Sequence, residues 1–507
     1  VPLNFSFVRT SFALWYWVGI FVFLLPGNLS QAQTAAREGK TQRAVQAAGK
    51  QDSTIAALLI SDIHFDPFQD PEKARQLVRE PVSQWGAILA SAASPDQAQA
   101  FAGLQKACHA KGVDTPYPLF ESSLEAMHKR APYASFITVT GDLIAHAFSC
   151  RYTTLTPGST AGNYQEFVEK TIEFVVGQLR ATFRGVPVYI SLGNNDTDCG
   201  DYRLDAGGGF LAKAATIVAS GVPASAQREV LQEFPAGGYF SLTMAAPMRN
   251  TRLIVLNDLF LSPRYSTCKG ALDDAPGNAE MGWLESQLAQ ARQLGQKAWV
   301  MGHIPPGVNT YATVSKFKDV CAGEDAEMFL NSGRLDTLLV EYADVVRLGL
   351  FAHTHMDEMR LITPEGPAAR ASVEHSVALK LVPSISPVDG NNPSFTIARV
   401  DPSTAVLRDY EVIVASNQTG IDTTWTEEYD YARSYHQPEF SPSAVTQLIG
   451  KFSSDPRAET EPSQEYNRHY FKGDLAGVLT PFWPQYVCSL ESDTARGYAA
   501  CVCAAVK

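Results

Sequence analysis

The sequence predicts an α/β domain, because short strands with no solvent face alternate along it with amphipathic helices. Apolar runs rich in β-branched residues recur at 55–60, 136–140, 186–192, 253–256, 298–301 and 345–351, each closed by polar or turn residues. Runs of that length between turn signals fit strands buried on both sides. Between them, Val168, Ile172, Val175, Leu179 and Phe183 recur at spacings of 4, 3, 4 and 4, and Met281, Leu284 and Leu288 at 3 and 4. Each set lies on one face of a helix, and such alternation places helices over the faces of a sheet. The composition agrees: 507 residues, 45% hydrophobic and 19% charged, exclude a disordered or fibrous chain.

Taken in order, residues 1–32 read as a secretory signal peptide. Arg9 supplies the positive end, Phe12 to Leu25 an apolar core, and Ser30 with Ala32 a cleavage site before Gln33. The core is shorter than the about 20 residues of a spanning helix, so cleavage and export are expected rather than an anchor. No later stretch is apolar for long enough to cross a membrane. Residues 33–54 read as a linker, being rich in Gln, Ala and Lys. Residues 55–417 carry the strand–helix pattern. From 418 the composition shifts to aromatic, acidic, Pro and Ser residues, and a small, helical, cysteine-containing C-terminal subdomain is expected over 418–507. Eight cysteines in an exported chain favour disulfides, but their spacing selects no pairing. The net charge of −12 makes a nucleic-acid duplex a poor partner.

In α/β domains ligands gather beyond the carboxyl ends of the strands, and here those ends share one chemistry. The run 55–60 leads to Asp62-Ile-His64, and 136–140 to Gly141-Asp142 with His146 beyond. The run 186–192 leads to Gly193-Asn194-Asn195, 298–301 to Gly302-His303, and 345–351 to His353-Thr-His355. Each motif alone is a common accident. Together they put five of the ten histidines at strand ends, two of them at i, i+2, which in a strand share a face. The donors Asp62, His64, Asp142, Asn194, His303, His353 and His355 are too many for one tetrahedral ion and fit two ions sharing a carboxylate. Pro305-Pro-Gly307 suggests a rigid turn fixing His303. Asp196 and Asp198 read as solvated loop residues.

The ordered set D-x-H, G-D, G-N, G-H and H-x-H, from about residue 55 to 400, resembles the calcineurin-like metallophosphoesterase superfamily. That resemblance implies a four-layer α/β/β/α sandwich. It also implies one ion on Asp62, His64, Asp142 and His355, and a second on Asp142, Asn194, His303 and His353. Gly141-Asp142-Leu-Ile-Ala-His146, Asp114-Thr-Pro-Tyr-Pro, Asn392-Pro-Ser-Phe395 and an aromatic helix over Trp425 to Tyr435 resemble the acid sphingomyelinase-like phosphodiesterases within it. The chain departs from their pattern at Asn195, where most relatives have His. Asn-Asn-Asp is similar to endopolyphosphatases. No saposin-like six-cysteine segment precedes the catalytic region.

The expected reaction is hydrolysis of a phosphodiester, by attack of a metal-activated hydroxide on phosphorus. His146 is the candidate general acid for the leaving oxygen. Asn195, which cannot supply a proton, is a candidate substrate contact. The substrate would be a small-molecule or lipid-headgroup diester. The alternative is polyphosphate hydrolysis, raised by Asn195 and opposed by the acidic charge. From a different class comes a metal-containing binding protein without turnover. Mixed imidazole and carboxylate ligands suit Zn, Mn or Fe, and the resemblance favours Zn.

Overall fold

The computed structural model of the chain describes residues 54–364, 373–473, 477 and 479–505. The expected signal segment, and the linker up to residue 53, lie outside them. All six expected strands form. They are β1 (Ile55–Ile60), β2 (Ile137–Thr140), β3 (Val188–Ser191), β5 (Thr251–Val255), β6 (Lys297–Met301) and β7 (Val346–Phe351). Six more join them: β4 (Phe240–Thr243), β8 (Glu358–Ile362), β9 (Val377–Leu381), β10 (Ser394–Asp401), β11 (Val406–Ala415) and β12 (Trp425–Asp430).

The strands make two sheets, in the orders β12-β11-β10-β1-β2-β3 and β4-β5-β6-β7-β9-β8. In the first, β1, β2 and β3 run parallel and β10, β11 and β12 add on antiparallel. In the second, β5, β6, β7 and β9 are parallel, with β4 and β8 as antiparallel edges. The long helix Ala161–Thr182 starts at Thr160 with a reciprocal cap to Asn163. It buries the expected stripe of Val168, Ile172, Val175 and Leu179. Helix Ala275–Gln293 likewise buries Met281, Leu284 and Leu288 and packs on β5 and β6. Between the sheets, Trp299 of β6 meets Phe136 edge-on at 5.7 Å, and its indole N–H donates to Ala405 O at 2.8 Å. A buried indole keeps its polar end satisfied in this way. Two facing sheets with helices outside are the expected sandwich.

The segment from Trp425 differs from the expected aromatic helix. Trp425–Asp430 is strand β12, and only Tyr431–Tyr435 is helical, capped by Asp430. Aromatic and β-branched residues pair well on a free sheet edge, and β11 offers one. Helices Pro442–Ser453, Glu461–Tyr470, Trp483–Ser489 and Ala495–Ala505 follow. Their segment caps the edge strand β8, where Asp357 and Leu361 donate backbone N–H groups to Tyr470 O and Leu490 O. That cover removes an exposed edge. All eight cysteines pair, as Cys108–Cys150, Cys199–Cys268, Cys321–Cys503 and Cys488–Cys501. No helix among the described residues is long and apolar enough to cross a membrane.

Candidate metal centre

The loops leaving β1, β2, β3, β6 and β7 meet at one place, and their backbones are unusual there. Asp62, His64, Asp142, His353 and His355 all have positive φ, between 43° and 70°. For residues with a Cβ this costs on the order of 1 kcal/mol each, and such strain persists only where surroundings enforce it. Enforcement comes from the neighbouring loop: Asp62 N donates to Gly141 O at 3.1 Å and His64 N to Asp142 O at 2.9 Å. Gly193 permits the approach of the third loop, since a Cβ on it would stand 2.1 Å from Asp142 Oδ1.

The side chains form two groups joined by one carboxylate. In the first, His355 Nε2 is 3.2 Å from His64 Nε2 and 3.4 Å from Asp62 Oδ1. In the second, His303 Nε2 is 3.1 Å from Asn194 Oδ1 and 3.3 Å from His353 Nδ1. Asp142 Oδ2 lies 3.4 Å from His64 Nε2 and 3.3 Å from His303 Nε2, between the two. Donor atoms of Asp62, His64 and Asp142, and separately of Asp142, His303 and His353, fall within 4.8 Å of one another. Both carboxylate oxygens of Asp62 are buried without a hydrogen-bond partner. A buried carboxylate with no hydrogen-bond donor is costly in a bare protein, and its place among imidazoles suits a cation. The residues present therefore fit two divalent ions.

Outer contacts aim these groups. Nδ1 of His64 is held by Ile144 O at 2.9 Å and Nδ1 of His303 by Thr140 O at 2.7 Å, which leaves Nε2 of each turned inward. Asn194 donates its amide to Asp201 at 2.7 Å, so its oxygen points to the centre. Two aspartates clamp the loops. Asp196 accepts from the backbone of Leu143, Ile144 and Gly193 at 2.8 to 3.1 Å. It is fully buried rather than solvated, which corrects the expectation for that residue. Asp258 accepts from His303 N and Ile304 N at 2.8 and 3.0 Å. Nothing local marks Asp258 in the sequence; its only signal is an Asp two residues after a strand run.

Electrostatics in the centre follow from its two carboxylates. Burial disfavours charge on His303 and His355, yet Asp142 and Asp62 overcome it and push them up to about 10 and about 9. His353 goes the other way, down to about 3, through burial and the charge of His303. Burial alone would raise Asp142, but His303 and His64 hold it well below the carboxylate range. The two carboxylates thus favour positive charge beside them.

His146 stands at the edge of the first group. Its ring stacks on His64 with centroids 3.9 Å apart, and its side chain is about one-third exposed. Asp114 accepts from its Nδ1 at 2.8 Å and its backbone N at 3.0 Å. The buried Arg151 bonds Asp114 and Asp66 together. Burial opposes protonation of His146, but the Asp114 carboxylate prevails and raises it. The expected substrate contact, Asn195, turns elsewhere. It is buried, and both its N–H groups donate to Asp142. Its short side chain, one residue past Asn194, reaches inward to Asp142.

A search among known families matches residues 56–357 to the calcineurin-like phosphoesterase family. The acid sphingomyelinase-like phosphodiesterase 3b of Mus musculus is 26% identical over 411 residues, 77% of this chain and 80% of that protein. Sphingomyelinase phosphodiesterase C of Dictyostelium discoideum is 24% identical over 342 residues, 66% of this chain and 70% of that one. A cyclic GMP-AMP phosphodiesterase of Mus musculus is 24% identical over 362 residues, 70% of this chain and 73% of that one. With the two-sheet sandwich and the clustered Asp and His residues, these matches give the conclusion that the chain belongs to the calcineurin-like phosphoesterase family and is a hydrolase of phosphoric esters.

Proposed function

We propose that the chain hydrolyses a phosphodiester at a centre of two divalent ions, one on Asp62, His64, Asp142 and His355 and the other on Asp142, Asn194, His303 and His353. The observation that carries this reading is Asp142 Oδ2, 3.4 Å from His64 and 3.3 Å from His303, where one carboxylate can serve both ions. Such ions supply Lewis acidity toward phosphate oxygens and acidify a water. The chain's own part is to hold and orient. Asn195 fixes both oxygens of Asp142, and Ile144 O and Thr140 O set the tautomers of His64 and His303. His146, with Nδ1 tied to Asp114, keeps a proton at Nε2 for the leaving oxygen.

A diester substrate is favoured by the relatives, which are named for activity toward sphingomyelin or cyclic GMP-AMP. The polyphosphate alternative gains no such support, and Asn195, which raised it, is committed to Asp142. Zinc is the proposed metal: the ligand chemistry suits Zn, Mn or Fe, and the family resemblance favours Zn. Four disulfides support an oxidising, extracytoplasmic setting.

The test is turnover by the purified, zinc-loaded chain of bis-p-nitrophenyl phosphate beside long-chain polyphosphate, with Asp142→Ala as control. Cleavage of the diester, lost in the variant, is expected. Shortening of polyphosphate with little diester turnover would reverse the assignment. Two bound ions without either activity would leave a binding protein.

A further inference from the structure

The four histidines of the centre are backed by unequal partners. His64 and His303 lean on the backbone carbonyls of Ile144 and Thr140. His353 turns Nε2 to the buried Tyr202 hydroxyl at 3.2 Å. Of the four, His355 is the one whose outer nitrogen faces a carboxylate: its Nδ1 lies 3.1 Å from Asp389 Oδ2. That approach lacks the alignment of a full hydrogen bond, and the nitrogen has no other hydrogen-bond partner.

The Asp389 carboxylate is 44% exposed, whereas the His355 side chain is 5% exposed. Yet the turn that carries Asp389 is firmly built. Ser386 N donates to Asp62 O at 3.0 Å, and Gly390 N to Pro387 O at 2.8 Å. Asn391 donates its amide to Ser384 Oγ and Ser386 O at 2.9 and 3.0 Å, and Gln418 reaches Gly390 O at 2.8 Å. The carboxylate is thus delivered to His355 by a turn anchored to another residue of the same ion site, Asp62.

We propose that Asp389 is a positioning residue for His355. By engaging Nδ1 it turns Nε2 toward the ion held with Asp62, His64 and Asp142, and makes that nitrogen a stronger donor. This rests on the two-ion reading above. It sets His355 apart from the other histidines: its outer partner is a carboxylate that water can reach, while His303 and His353 lean on a backbone carbonyl and a buried hydroxyl.

The experiment loads the full chain with zinc and dialyses it against a graded chelator, reading zinc per chain by mass spectrometry. Asp389→Ala should lose affinity for one ion by about 10–100-fold, and hold one zinc where the unaltered chain still holds two. Asp389→Asn keeps an oxygen facing Nδ1 and should fall between them. A purely structural role would lower the melting temperature without this graded, single-ion loss. Two zinc ions retained by Asp389→Ala throughout, or both lost together, would overturn the proposal. Turnover is not the readout, so a chain that binds two ions without cleaving diesters would defeat the proposed function and leave this inference standing.

Discussion

Asn195 grips Asp142 twice, its backbone N–H donating to Oδ1 and its side-chain amide to Oδ2, each at 2.9 Å. These two bonds fix the orientation of the Asp142 carboxylate. Asn195→Ala keeps the backbone bond and frees Oδ2. Because Asp142 faces both groups, affinity for both ions should fall, by about tenfold for an outer contact of this kind. Zinc titration against a competing chelator checks it, and unchanged affinity would mean that the amide does nothing there.

His146 and Asp114 should behave as a unit on poor leaving groups. A general acid contributes about 10²–10⁴-fold where the leaving oxygen needs a proton, and little for p-nitrophenol. His146→Ala should therefore slow alkyl diesters far more than bis-p-nitrophenyl phosphate. Asp114→Asn should do the same more weakly, since Nδ1 then loses its anionic acceptor. Equal losses on both substrates in either variant would remove His146 from proton transfer.

The Asp, Asn and His motifs that the structure gathers are legible in the sequence because each is local: one strand, one turn, two or three residues. So are the long helix at Ala161–Thr182 and the six buried strands, whose apolar periods are strong. What stayed hidden is what joins distant positions. Asp258 clamps a residue 45 positions away, and Arg151 reaches back 85 positions to Asp66; neither has a sequence signature. Asn195 reads in the sequence as a substrate contact because its partner, 53 positions earlier, is set by how close Gly193 lets the loops come. Trp425–Asp430, expected as part of an aromatic helix, pairs instead as a strand along β11, a partner 10 or more positions earlier that no local pattern marks.

Two glycine substitutions separate close approach from backbone freedom. A Cβ at Gly193 would lie 2.1 Å from Asp142 Oδ1 and 2.4 Å from Asp142 N, so Gly193→Ala must push the shared carboxylate away. Loss of both ions is expected, read as zinc per chain. Gly177 sits on the exposed side of helix Ala161–Thr182, and a methyl added there would meet nothing within 4 Å. Gly177→Ala should raise stability by about 0.5–1 kcal/mol, and leave zinc binding alone. A Gly193→Ala chain that binds two zinc ions would contradict the packing.

Glu280, which is not among the ion ligands, gives a pH dependence of stability. Its side chain is fully buried, Oε1 accepts from Asn257 N at 2.6 Å, and Oε2 has no partner. Burial, aided by the charge of Asp258, raises its pKa well above the ordinary value despite the Asn257 bond. In the folded chain it holds its proton to higher pH than in the unfolded chain, where it ionises near about 4.3. Above that pH the unfolded state binds fewer protons, so the group erodes stability as pH rises until its folded pKa is reached. The slope is about 1.4 kcal/mol per pH unit. Gln keeps the oxygen that accepts from Asn257 and cannot ionise. Melting temperatures of the two chains should therefore lie close together near pH 4 and diverge in favour of Glu280→Gln as pH rises toward 8. Parallel curves would show that Glu280 is charged, or finds a compensating partner, in the folded protein.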